Sequence, residues 1–297
     1  MRRRTDVGHT RRYNEERLAF LLLAPAVVYL MVIMLVPFLW GVYTSFTTKM
    51  IGIPGKFVGL ANYIALLREP LFGTAVLNTI VFTGGAMAGK MVLGTCIALM
   101  MNQELRGKNL YRSVLLLPWA VPVVVAVYTW KWMLSDIGGV VNSLLLQSGI
   151  VEQAVPWLAV PHLAMSSAIV VSVWRGTPFI AVSVFAALQT IPVELYDAGK
   201  IDGANVVQRF VSITLPSIRD VLLLSGLVMT IWTLNTFQVI YLLTGGGPAN
   251  STQVISTLSY TIGFRNLRLA KAIAISVYSF PPLILLVNRV TKMTLSD

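Results

Sequence analysis

Six long stretches that are almost free of charge fix what this chain can become. Residues 18–46 hold twenty-nine residues without a charged side chain, enough for a tilted membrane span even with Pro25 and Pro37 inside it, because about 20 apolar residues cross a bilayer as a helix. Comparable stretches follow at 74–101, 113–132, 164–188, 219–243 and 269–290. The expected fold is therefore an all-α integral membrane protein with six transmembrane helices. The second stretch carries Gly84, Gly85, Gly89 and Gly94, small residues that let neighbouring helices approach closely. The third contains Pro118 and Pro122 and is read as a single span.

Composition agrees and excludes other classes. With 56% hydrophobic and 12% charged residues, the chain is no soluble enzyme. Its net charge of +11 is spread over short connections and forms no long basic run interleaved with aromatics, so membrane orientation explains it better than nucleic acid does. One cysteine, Cys96, and two histidines, His9 and His162, offer no metal or redox spacing. No G-x-x-x-x-G-K-[ST] phosphate loop is present, so any ATP hydrolysis by that route belongs to another chain. The basic residues of 1–17 resemble the start of a signal peptide, but the apolar run behind them is too long and lacks a cleavage site. It is read as a retained anchor.

One connection is too structured to be a mere link. Between the fourth and fifth apolar stretches lies a charged interval, residues 192–216. Pro192 suits a first helical turn, Leu195, Ala198 and Ile201 recur every three residues, and Gly203 interrupts. A second short helix is expected from an Asn205 cap, with Val206, Phe210 and Ile213 on one side and a stop at Pro216.

Asp197, Ala198 and Gly199, then Gly203, then Ile213, Leu215 and Pro216 resemble the signature loop of permease subunits of ATP-binding-cassette importers. Asp197 stands where that family usually has glutamate, and Gly199 where it usually has alanine. Further stretches resemble the sugar permeases of the maltose and glycerol-phosphate type. These are 56–70 with Asn78 and Thr79, the spacing from Arg112 to Pro118, the fourth-span segment 173–179, and the 243–248 terminus LTGGGP. The resemblance implies a type I ABC importer permease (MetI-like) fold: a basic cytoplasmic segment at 1–17 and a six-span domain at 18–293 with a cytoplasmic coupling loop at 189–217. It implies that the loop docks in a cleft of a separate ATPase; Gly203 is then expected to allow close approach, with Asp197 and Asp202 turned towards the cleft. An amphipathic helix lying on the membrane surface is the alternative for this loop.

The implied partners are a second permease subunit, an ATP-binding-cassette ATPase dimer that holds ATP and Mg2+, and an extracytoplasmic solute-binding protein. This chain itself would carry no cofactor, no metal and no catalytic residue, and would form half of a pore working by alternating access in a bacterial or archaeal inner membrane. Six spans put both ends on one side. If that side is the cytoplasm, its segments hold fourteen Lys and Arg against seven in the outer loops, as the positive-inside rule requires.

Solute contacts are sought among polar and aromatic residues inside the spans. Asn235, Gln238 and Tyr241 lie at three-residue spacing along the fifth span, and Trp174 and Arg175 lie on the fourth. Arg175 would suit an anionic sugar derivative. Helix packing for Asn235 and Gln238, and pairing or snorkelling for Arg175 and Lys90, remain the alternatives. All twelve acidic residues fall outside the centres of the spans, which disfavours a passive or ion-coupled carrier, since ion-coupled carriers place ionisable groups or unwound carbonyls at the midplane. Within the importer class, a non-sugar solute is the second choice.

Overall fold

A computed structural model describes residue 18, residues 20–103 and residues 107–295. The basic segment 1–17 lies outside the described residues. The elements are α1 (Phe20–Ser45), α2 (Ala61–Leu67), α3 (Pro70–Met101), α4 (Lys108–Ala120), α5 (Val123–Met133), α6 (Val140–Gln147) and α7 (Pro161–Leu188). They continue with α8 (Val193–Ile201), α9 (Val206–Leu234), α10 (Gln238–Leu243), α11 (Ile255–Tyr260) and α12 (Leu269–Thr294). Among the described residues there are no strands beyond two isolated bridges near residues 47–57.

Five of these helices, α1, α3, α7, α9 and α12, are long and apolar enough to cross a membrane, and α4 with α5 supplies a sixth candidate if the two are one broken span. The expected single helix over 113–132 is not formed. The chain turns by 100° between α4 and α5 because Pro122 has no N–H to continue the ladder and forces Val121 into an extended conformation, with φ −74° and ψ 129°.

The centre of the bundle is the α3–α7 pair, the most extensive helix contact in the chain. Along α3 the buried positions Thr79, Phe82, Thr83, Ala86, Lys90, Gly94 and Ala98 recur every three or four residues, the period of one helix face. Three of the five glycines of α3 lie in the seam. A Cβ on Gly85 would meet Ile169 Cδ1 at 2.9 Å, on Gly89 Val173 Cγ2 at 2.6 Å, and on Gly94 Ile180 Cβ at 2.7 Å. Gly84 points away and would meet nothing within 4 Å.

Polar bonds fasten the ends. Asn62 donates to the carbonyls of Ser45 and Thr47 at 2.8 and 2.7 Å, and the Tyr63 and Ser45 hydroxyls share a 2.6 Å bond. Tyr278 of α12 donates to the Tyr63 carbonyl at 3.0 Å, and Lys271 pairs with Glu69. Segment 56–70 thus holds α1, α3 and α12 at one end, which accounts for the residue types of its N-Y pair. Asn78 Nδ2 donates to the carbonyls of Asn250 and Gln253, while the Thr79 hydroxyl accepts from the Ile255 amide, so the chain that follows 243–248 folds back onto α3. In contrast, the whole first half of α1 is apolar and exposed, a helix that its own chain leaves for lipid or another subunit to cover.

Gly94→Leu should overpack the α3–α7 seam and destabilise the purified protein by roughly 1–3 kcal/mol, while Gly84→Leu should stay within about 0.5 kcal/mol of the parent. Thermal unfolding in detergent measures both, and equal effects at the two positions would contradict this register.

Candidate functional site: a projecting foot and a cationic cavity

The signature residues form a foot that projects from the bundle. Pro192 caps α8 from just before its first turn, with ψ 133°. The helix ends in a Schellman arrangement: the Gly203 amide donates to the Lys200 carbonyl at 3.1 Å and the Ala204 amide to the Gly199 carbonyl at 2.9 Å. Gly203 has φ +77°, so it is needed for the left-handed turn that redirects the chain. Asn205 then caps α9 reciprocally, its Oδ1 accepting from the Gln208 amide at 2.9 Å and its own amide donating to Gln208 Oε1 at 2.7 Å.

The expected stop at Pro216 is absent. Helix α9 runs through it, because residues Phe210–Thr214 form a π-helical turn in which the Leu215 amide reaches back five residues to the Phe210 carbonyl. The widened turn accommodates a proline ring that has no N–H to give, and Ser217 Oγ takes up the Ile213 carbonyl at 2.6 Å. The second helix of the foot and the fifth span are therefore one rod.

Gly199 and Ile213 hold the two parts of the foot together. A Cβ on Gly199 would sit 3.1 Å from Ile213 Cδ1 and 3.4 Å from Arg209 Cγ, and the Tyr196 hydroxyl bonds the Thr214 hydroxyl at 2.9 Å. Arg209 also donates to the Ala204 carbonyl. Asp197 pairs with Lys200 at 2.8 Å in the open, and Ala198, Asp202, Leu215 and Pro216 are exposed. Ile201 is 87% exposed, with Val206 at 72%, so the tip of a charged loop is apolar and uncovered. Gln189, at the root, donates to Asn102 of the neighbouring connection.

The other candidate residues separate into distinct surroundings. Trp174 packs edge-on against Trp130, with ring centres 5.8 Å apart, and opens into an apolar cavity of about 410 Å3 at the α4–α5 bend. Arg175 opens instead into a smaller cavity of about 60 Å3, shared with Lys90, Trp119, Trp232 and Thr233. Lys90 is only 3% exposed. Its Nζ donates to the Thr233 hydroxyl at 2.8 Å, and its stem reaches there across Gly176, where a Cβ would meet Lys90 Cε at 2.6 Å. Trp119 and Trp232 flank Phe179 at 6.0 and 5.3 Å.

The fifth span does not continue evenly to residue 243. It breaks after Leu234, and α10 restarts at Gln238, so Asn235, Gln238 and Tyr241 do not lie on one continuous helix. Asn235 turns back to the Ile231 carbonyl at 2.8 Å, and Gln238 is exposed. Thr236 and Val239, each one residue further on, line the cavity with Arg175. Tyr241 stacks on Phe237 at 4.7 Å and meets Tyr260 at 5.1 Å, a separate aromatic cluster beside Arg265. Trp119, Ser172, Trp232 and Thr233 were not singled out from sequence; a four-residue spacing from the α7 cation to Phe179, between the two indoles, was the available clue.

Residues 90–293 match the family model of the binding-protein-dependent transport system inner membrane component. The trehalose/maltose transport system permease protein MalF of Thermococcus litoralis is 36% identical over 250 residues, covering 84% of each chain. The sulfoquinovosyl glycerol transport system permease protein SmoG of Agrobacterium fabrum is 33% identical over 270 residues, 90% of this chain and 87% of its own. In fold, the chain is similar to a chain of a bacterial ABC transporter involved in the import of the acidic polysaccharide alginate, with TM-score 0.81 at 23% identity over 96% of this chain and 97% of that one. The chain thus belongs to the family of binding-protein-dependent transport system inner membrane components, the membrane-embedded permease subunits of ABC transporters.

Gly203→Ala should cost about 1–2 kcal/mol in the left-handed turn, and Gly203→Asn distinctly less. Hydrogen exchange over the peptide that links α8 to α9 should accelerate accordingly in the alanine variant; unchanged exchange would contradict the capping role.

Proposed function

We propose that this chain is one permease subunit of an ATP-driven, binding-protein-dependent importer for a sugar or sugar derivative, and that it supplies half of a pore working by alternating access. The observation that carries the reading is the foot: a rigidly capped α8, with an uncovered apolar tip at Ile201 and Val206, joined without a break to a membrane-length helix. Such a tip in a polar loop calls for a protein partner. The partner is an ATPase subunit that holds ATP and Mg2+ in its own chain.

In this reading Asp197, Ala198, Gly199, Asp202, Gly203, Ile213, Leu215 and Pro216 act as a docking unit. Gly199 and Ile213 set the angle of α8 on α9, Gly203 sets the turn, and the exposed residues meet the ATPase cleft. The foot and both chain ends are cytoplasmic, in keeping with the distribution of Lys and Arg. A second permease subunit completes the pore and covers the apolar surface of α1, and an extracytoplasmic binding protein delivers the solute. The sugar assignment draws its support from relatives named for trehalose/maltose and sulfoquinovosyl glycerol transport. Trp174, Arg175, Asn235, Gln238 and Tyr241 remain the solute-path candidates, with Arg175 the best situated because it faces a polar cavity between spans.

Affinity purification from the native membrane in mild detergent should recover this chain with a second six-span permease and a P-loop ATPase. Ile201→Asp should release the ATPase and reduce uptake about tenfold or more, because a charge would be forced into an apolar contact, while the two permease subunits stay together. Isolation as a lone homo-oligomer, or full uptake by the Ile201 variant, would overturn the proposal.

A further inference from the structure

Helix α3 sends Lys90 across the notch at Gly176, and α7 brings Arg175 to the same small cavity. Two cations therefore share a space deep in the bundle. Lys90 is almost fully buried, and its bonding partner is the neutral Thr233 hydroxyl. Arg175 Nε is buried without any hydrogen-bond partner. Among the described residues neither cation is in a salt bridge, and no carboxylate lines the cavity. Buried charges are ordinarily paired, and charged residues within spans mark substrate paths.

Building on the sugar-permease reading, we infer that Lys90 and Arg175 form a binding site for one anionic group of the transported solute, a carboxylate, sulfonate or phosphate. An anion between the two cations relieves their mutual repulsion. A guanidinium can donate two N–H bonds to two oxygens at once, and the ammonium adds a point charge. The cavity, about 60 Å3, has room for a few waters and hence for a charged head group rather than a whole sugar ring. Trp119 and Trp232 border the cavity and are each half exposed beyond it, so the ring, lying outside, has aromatic faces to rest against.

The assembled importer, held in phosphatidylcholine nanodiscs, is titrated with methyl glucuronide, neutral methyl glucoside and methanesulfonate while indole emission is followed. The glucuronide should change the emission saturably and the glucoside should not. Trp232→Phe should remove much of the signal. Arg175→Gln should shift the midpoint about tenfold or more, as loss of a charge-assisted pair does, and Arg175→Lys should shift it less. Lys90→Met should weaken the response as well, and if that variant fails to assemble, the two Arg175 variants decide. Saturation by methanesulfonate without either glycoside supports the anion site and counts against the sugar reading instead. A response to the glucoside equal to that of the glucuronide keeps the sugar reading and overturns the anion site. So would an unchanged midpoint in Arg175→Gln, or loss of the glucuronide response when phosphatidylglycerol is added, which would give the site to a lipid head group.

Discussion

The seam between α3 and α7 leaves no room for a side chain at Gly85, Gly89 or Gly94, and the rest of the bundle is arranged around that exclusion. In a lipid environment the usual hydrophobic drive between helices is missing, so close backbone contact has to supply the attraction. The glycines face Ile169, Val173 and Ile180, branched side chains that fill the gap from α7. A fourth glycine, Gly176, faces the other way and admits the stem of Lys90. The tight pair thus carries a channel for one charged side chain through its own interface. Helix α9 closes the arrangement by presenting Thr233 to that side chain and packing against both members of the pair.

The large features were legible because each depends on local composition. Uncharged length marks a span, and Asn205 followed three residues later by Gln208 marks a helix start. The conformation of Gly203, a left-handed cap, also follows from its place after a periodic apolar run.

Two of the errors share one cause, the assumption that a proline stops a helix or passes unnoticed inside one. Pro122 bends the chain by 100°, whereas Pro216 is absorbed by a widened turn just before it. Nothing in the residue itself distinguishes the two; the difference lies in whether the preceding turn can loosen. The break after Leu234, which no proline marks, was hidden for a different reason. Asn235 donates to the Ile231 carbonyl with both its amide and its side chain, and the Thr236 hydroxyl takes the Trp232 carbonyl that the break leaves open, so a helical pattern persists in the sequence past the point where the helix ends. Thr236 and Val239, rather than Asn235 and Gln238, border the small cavity with Arg175.

Helix α9 is continuous from Val206 to Leu234, a span of about 43 Å at 1.5 Å per residue. Its lower end carries the capped turn of the foot and its upper end holds the hydroxyl that Lys90 grips. A rod of this length is stiff in bending, so a tilt imposed at Asn205 arrives at Thr233 as a sideways displacement of the oxygen against the ammonium. The π-helical turn, Phe210–Thr214, lies close to the foot and keeps Pro216 inside the rod, so the lever from the tip of the foot to the ammonium is a single piece of helix.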